Sequence, residues 1–260
     1  MTIERPPQQA LEYLRKAMDR SKRKSTVRLP VEFARNSHDK CPRPPLAQML
    51  KGGGHQLHTY LTILMKATRA PHTTKVRTTE LAEMLHAAGA TDAGKRKIAR
   101  EIKKLEDPAF PMLQMEREPG RVPTATVLHP DGSGEQWDVA QLPHPYITLP
   151  IELWTNGWIL VLTPRALGLF IALRELTNGR TPRNTAWVDP IRKKQYGLSK
   201  ATWTRATAEL QDAGLLTVTS QVSSFHGEPR RRNIYTLHVD HMKNAEPGDP
   251  YAEDIAPPSP

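Results

Sequence analysis

The chain has 260 residues, of which 38% are hydrophobic and 6% aromatic, and a net charge of +10. That length suits two modest domains better than one large core, and the charge predicts a polyanionic partner. A single cysteine excludes an intramolecular disulfide framework, and no apolar run approaches the ~18 residues of a membrane span, so a cytoplasmic protein without membrane contact is expected.

Residues 1–24 read as a helix followed by a basic arm. Leu11, Leu14 and Met18 fall on one side of the helix, which suits an extra packing element or a dimerising one, so a homodimer is one assembly it allows. Behind it, Arg20, Lys22, Arg23, Lys24 and Arg28 form a cationic lead that either lies along phosphates or stays disordered.

Residues 25–140 make the first of two expected units. The heptad VRLPVEF (27–33) leads through the irregular NSHDKCPRPPLAQMLKGGG to an apolar helix, HQLHTYLTILMKAT. The next forty residues read as helix, turn, helix, strand, with Thr91 as the expected cap of the second helix. Ile98, Ile102 and Leu105 form its inner face, and Lys95, Arg96, Lys97, Arg100, Lys103 and Lys104 surround the rest. So cationic a surface has few groups suited to reading bases. Backbone binding is its natural task, although a solvated lysine-rich face needs no ligand. The hairpin EREPGRVPTATVL adds Arg117 and Arg121.

Residues 146–240 repeat the plan. ITLPIEL (147–153) matches VRLPVEF in order: apolar, Leu-Pro, aliphatic, Glu, large apolar. WILVL (158–162) reads as a core strand. Thr163 and Pro164 then open an apolar helix carrying Leu167, Phe170, Ile171 and Leu173, and Asn178-Gly179 stop it. Helix, turn, helix and strand follow again. Aligning Arg100 with Arg205 also aligns Leu105 with Leu210 and Asp107 with Asp212, which argues for an internal duplication.

In this second unit Ser199 sits where an N-cap belongs, and Trp203, Ala206, Leu210 and Ala213 recur at helical spacing as the inner face. Lys200, Thr204, Arg205 and Ala208 then point outward, with Thr202 beside them. Gly214 ends the helix, and LLTVTSQV alternates as a half-exposed strand. SSFHGEPRRR reads as the turn, with Arg230, Arg231 and Arg232 at its tip, and Ile234, Tyr235 and Leu237 return toward the core.

This order resembles a winged helix-turn-helix domain, present twice. The resemblance implies an α+β fold, mainly α, with two such domains in tandem and an extra N-terminal helix. It also implies that the first residues of each third helix meet the major groove of DNA, and that the hairpin lies over flanking phosphates or the minor groove. The DNA-binding residues it points to are Lys200, Thr202, Thr204, Arg205, Arg230, Arg231 and Arg232, joined by Lys95, Arg96, Arg100, Lys103 and Arg121 of the first unit. Three arginines in a turn can equally be a solvated loop.

Tandem winged helices in one chain are similar to plasmid replication initiators and to plasmid and phage transcriptional regulators. The implied function is binding of double-stranded origin or operator DNA, in association with plasmid or nucleoid. The longer first-domain helices of the initiators are not evident here. The rival reading is a protein-interaction subunit of a chromosome-partition or condensin-type complex, but those are usually acidic, unlike the basic helices and hairpin here.

No enzymatic constellation emerges. His55 and His58 lie three apart without a helical Glu, His238 and His241 close a strand, and His38 with Cys41 is a lone pair, so no zinc spacing exists. KGGGH lacks the spacing of a phosphate loop. No metal or cofactor is expected, and residues 241–260, ending in acidic, Pro-rich sequence, are expected to be disordered.

Overall fold

In the computed structural model, residues 4–24, 26–36, 43–51, 55–142, 145–177, 185–225 and 228–249 are described. The first half runs α1 (Gln8–Ser21), β1 (Thr26–Pro30), α2 (Val31–Ala34), α3 (Pro45–Lys51), α4 (Gln56–Lys66), β2 (Thr73–Lys75), α5 (Thr78–Met84), α6 (Asp92–Leu105), β3 (Leu113–Glu116) and β4 (Thr124–Val127). The second runs β5 (Tyr146–Pro150), α7 (Glu152–Thr155), α8 (Trp158–Val161), α9 (Pro164–Thr177), β6 (Thr185–Trp187), α10 (Pro190–Gln195), α11 (Lys200–Asp212), β7 (Leu216–Phe225), β8 (Glu228–Leu237) and α12 (Val239–Asn244). The fold is α+β, with helices predominating and only small antiparallel sheets.

Each half contains an apolar helix, a short strand, two helices and a hairpin. In each, the short strand joins the hairpin on the side of its second strand, giving the sheet orders β2-β4-β3 and β6-β8-β7. The buried core is continuous through both halves.

The repeated heptads are each other's partners. In the ladder between β1 and β5, Val27 faces Leu149, Arg28 faces Thr148 and Leu29 faces Ile147. Arg28 and Thr148 hold the same place in VRLPVEF and ITLPIEL, so the ribbon has a local two-fold axis through that pair. Val27, Leu29, Ile147 and Leu149 are all fully buried, as period-two alternation over a core requires. The Arg28 guanidinium lies 4.9 Å from the centre of the Tyr146 ring.

Other contacts join the halves. Leu50 of α3 seats on Gly168 of α9 so closely that a Cβ there would lie 2.6 Å from its methyl. Buried His58 on α4 binds the carbonyl of Leu162 through Nε2 at 2.9 Å.

Four expectations are corrected. WILVL is the short helix α8 and the residue after it, because a continuous apolar run suits a buried helix as well as a strand. The region taken as irregular contains α3, which starts at Pro45 and buries Leu46, Ala47 and Met49. The basic arm is not free at Arg23, whose guanidinium donates to the carbonyls of Leu64 and Met65 at 3.1 and 3.0 Å and so satisfies the end of α4. The tail is ordered through residue 249: α12 buries Val239 and Met242, Trp158 Nε1 donates to the carbonyls of Met242 and Ala245, and Glu246 pairs with Arg15. His38, Cys41, Asn178, Gly179 and the acidic end from residue 250 lie outside the described residues.

Candidate nucleic-acid interface

Helix α11 is built at both ends by its sequence. Ser199 is extended, and its Oγ accepts the Thr202 N–H at 3.1 Å, so one of the free donors of the first turn is satisfied. Gly214 adopts φ +67° and stops the helix, its N–H bonded to the carbonyl of Gln211. Trp203, Ala206 and Leu210 are buried, as their spacing predicts.

The helix is tied to its neighbours through one aromatic knot. Trp203 Nε1 donates to the Tyr235 hydroxyl of β8 at 3.2 Å, and the Lys193 ammonium of α10 lies 5.1 Å from the Trp203 ring and 5.7 Å from that of Tyr235. The angle between α11 and the hairpin is therefore fixed by packing.

Two grooves flank α11. Lys200, Thr204, Ala208 and Gln211 line one of about 840 Å³, together with Val218 and Asn233 of the hairpin. Thr202 and Arg205 line the other, of about 870 Å³, together with Arg43 and α3, the start of α9, Lys194 of α10 and the turn before α11. The four residues expected on α11 are thus brought together but divide between its two flanks. Lys200 and Arg205 are exposed, and neither makes an ion pair among the described residues.

The arginine-rich hairpin differs from expectation. β7 and β8 are ten residues each, and Gln221 faces Arg232, Val222 faces Arg231 and Ser223 faces Arg230. The arginines sit in a paired strand, not at the tip. Phe225 and Glu228 close the ladder, and the intervening His226 and Gly227 lie outside the described residues. Polar composition suggested a turn, but Gln221, Val222 and Arg231 are exposed, so these paired positions have no burial that apolar residues would mark. Arg231 donates to Ser220 Oγ at 2.6 Å, and the Arg232 guanidinium lies 4.4 Å from the centre of the Trp187 ring. The expected return to the core holds for Tyr235 and Leu237, whereas Ile234, on the opposite face, is half-buried.

In the first half, Ile98, Ile102 and Leu105 of α6 are buried as expected. Thr91 holds the N-cap position, yet its hydroxyl donates back to the carbonyl of Ala88 and caps nothing. Several expected cations are neutralised. Lys95 pairs with Asp92 at 2.8 Å, a bond that holds the Asp92 carboxyl below its ordinary range, and Lys104 pairs with Glu101. Arg117 grips Glu106 with two bonds, and Arg121 pairs with Glu118 at 2.6 Å. Arg96, Arg100 and Lys103 remain exposed without an ion pair among the described residues, and their i, i+4, i+7 spacing makes one stripe.

Sequence reasoning missed Lys193 and Lys194. The signal was present: Asp189 caps α10 by accepting the Arg192 N–H at 2.6 Å, with Pro190 in the first helical position, so DPIRKK marks a helix start. The chain matches no protein-family model and no curated protein. Among the described residues, no helix is long and apolar enough to cross a membrane.

Proposed function

We propose that this chain is a double-stranded DNA-binding protein of two winged helix-turn-helix units, acting at origin or operator DNA as plasmid replication initiators and plasmid or phage regulators do. The element order and the identical sheet orders of the two halves support that reading. The observation that carries it is α11: a capped helix whose first two turns present Lys200, Thr204 and Arg205, locked through Trp203 and Tyr235 to a hairpin bearing Arg231 and Arg232.

In this reading the start of α11 enters the major groove, where a cationic and hydroxyl-bearing face can address base edges. The hairpin follows the flanking phosphates or minor groove. The α6 stripe holds backbone without selecting sequence. The β1–β5 ribbon fixes one unit against the other, so the site should have two parts at constant spacing. Binding of this kind needs no cofactor and no catalytic group.

Selection from a randomised duplex pool, followed by salt titration of the best duplex, tests the proposal. A defined two-part sequence should emerge, and with six to ten phosphates contacted affinity should fall by roughly three to five decades between ~50 and ~200 mM salt. No enrichment and a flat salt response would sink it in favour of a protein-interaction subunit.

A further inference from the structure

The groove beside Thr202 and Arg205 does not belong to the second half alone. Its far wall is α3, between α2 and α4 of the first half, with Arg43 just before it. Arg43 and Lys51 stand on that wall, facing Lys194 and Arg205 across the groove. A second cavity of about 490 Å³ shares Arg43, Lys51, Lys194 and Gly197 with the first and continues to Asn36 and Gln48. Together they make one open furrow from the reading helix onto the first half.

Among the described residues that line it, the charge has one sign: none of them is a carboxylate. Arg165, on the rim, is satisfied by Glu209, but Arg43, Lys51, Lys194 and Arg205 are exposed and make no ion pair among the described residues. A pocket for a small phosphate ester converges buried donors on one point, whereas these cations are exposed and strung along two adjoining cavities. That distribution suits a polyanionic strand.

The wall is also held firmly. Leu50 seats on Gly168, and at Gly197, in a left-handed turn with φ +64°, a Cβ would lie 3.0 Å from Ala47 and 3.2 Å from Pro44. Glycines at both seats let α3 approach α9 and the turn before α11 this closely.

We infer that this furrow carries the DNA backbone flanking the sequence read by α11, so that Arg43 and Lys51 of the first half supply phosphate contacts to the second half's interface. The inference rests on the DNA-binding reading above and assigns residues that the winged-helix resemblance does not.

The test uses the full chain and the tightest duplex that the wild type recovers from a randomised pool. In the double variant Arg43→Ala, Lys51→Ala, the slope of log affinity against log salt should lose about 1.8, two phosphates at ~0.9 each. The ranking of single-base variants should stay unchanged, and hydroxyl-radical protection should shorten at one edge of the site. The exchange Arg43→Lys, Lys51→Arg should restore slope and footprint, which separates charge from folding. An unchanged slope and footprint in the alanine variant, with Arg205→Ala still altering base ranking, would overturn the furrow while leaving the DNA reading intact. So would loss of pyrophosphate binding by calorimetry with the DNA slope preserved, which would mark a small-anion pocket. If the wild type enriches no duplex at all, the DNA reading itself fails, and the furrow with it.

Discussion

Helices α6 and α11 hold the same place in their halves and solve the same packing problem with different residues. Ile98, Ile102 and Leu105 face inward from α6, with Glu101 buried beside them, whereas α11 uses Trp203, Ala206 and Leu210. The outer faces diverge further. At the start of α11 a serine cap leaves Lys200, Thr204 and Arg205 open, while at the start of α6 Lys95 is drawn back onto Asp92. The unpaired charge of α6 lies farther along, at Arg96, Arg100 and Lys103. A shared element order therefore supports two tasks: α11 carries varied groups where bases would be met, and α6 carries uniform charge suited to a backbone.

The two starts differ most at one position. Counted from the caps Thr91 and Ser199, a register three residues away from the one that aligns Arg100 with Arg205, Gly94 corresponds to Thr202. A Cβ on Gly94 would lie 1.8 Å from the Ala87 carbonyl oxygen, a backbone atom that cannot step aside, whereas Thr202 lines an open groove. Gly94→Ala should cost about 3 kcal/mol in urea unfolding, at the upper end of overpacking effects. Thr202→Ala should cost well under half as much. Equal losses would mean that the two helix starts are packed alike.

Acid probes the seam between the halves. Burial pushes the His58 imidazole down to about 4 from its ordinary 6.5, with nearby His55 and Lys97 acting in the same direction. Because the folded value is the lower one, the unfolded chain takes up the proton first. Stability is complete above ~6.5 and declines as pH falls toward ~4, by up to about 3 kcal/mol from this residue. His58→Gln, which keeps a donor for the Leu162 carbonyl but cannot titrate, should flatten that decline. A wild-type stability that is level between those pH values would remove His58 from the seam.

Binding variants set the two helices against each other. Arg205→Ala should cost about 1–3 kcal/mol and relax preference at one position of the site. Changing Arg96, Arg100 and Lys103 together to Ala should weaken all sequences alike and lower the salt slope by about 2.7. Joint replacement of Arg231 and Arg232 should resemble the α6 change, with a smaller drop in slope. The readout is a panel of single-base duplex variants at two salt concentrations. If the α6 variant scrambles base ranking while Arg205→Ala leaves it intact, the roles of the helices are reversed.

Much of the helical framework was legible: α1, α6, α9 and α11 bury the residues named on their inner faces, while α4 was legible only as an apolar run and is buried on nearly every side. The Ser199 cap was legible too, since hydroxyl and helix start are adjacent in sequence. Long-range pairing was not. The heptads could be matched as repeats, but nothing local says that Val27 meets Leu149. Three-residue strands such as β2 and β6 are too short to show alternation. Among the candidate site residues, the neutralising partners Glu106 and Glu118 could not be assigned from charge counts, and the contribution of Arg43 and Lys51 depends on α3 docking across the seam.

The smallest expected effect lies in the caps themselves. Ser199 accepts the Thr202 N–H, and its hydroxyl also meets the Thr202 hydroxyl at 2.8 Å. Removing an N-cap acceptor leaves a helical donor to water, so Ser199→Ala should lower stability by about 1 kcal/mol. Thr91 occupies the corresponding place in α6 but donates its hydroxyl to the Ala88 carbonyl, leaving the helix start uncapped by a side chain. Thr91→Ala removes no cap bond and should cost only a few tenths of a kcal/mol. Because neither residue carries charge, neither change should move the salt slope of DNA binding. Urea titration of both variants decides the matter: a loss at Thr91 equal to that at Ser199 would show that the two helix starts are capped in the same way, and the contrast between them would then rest on surface charge alone.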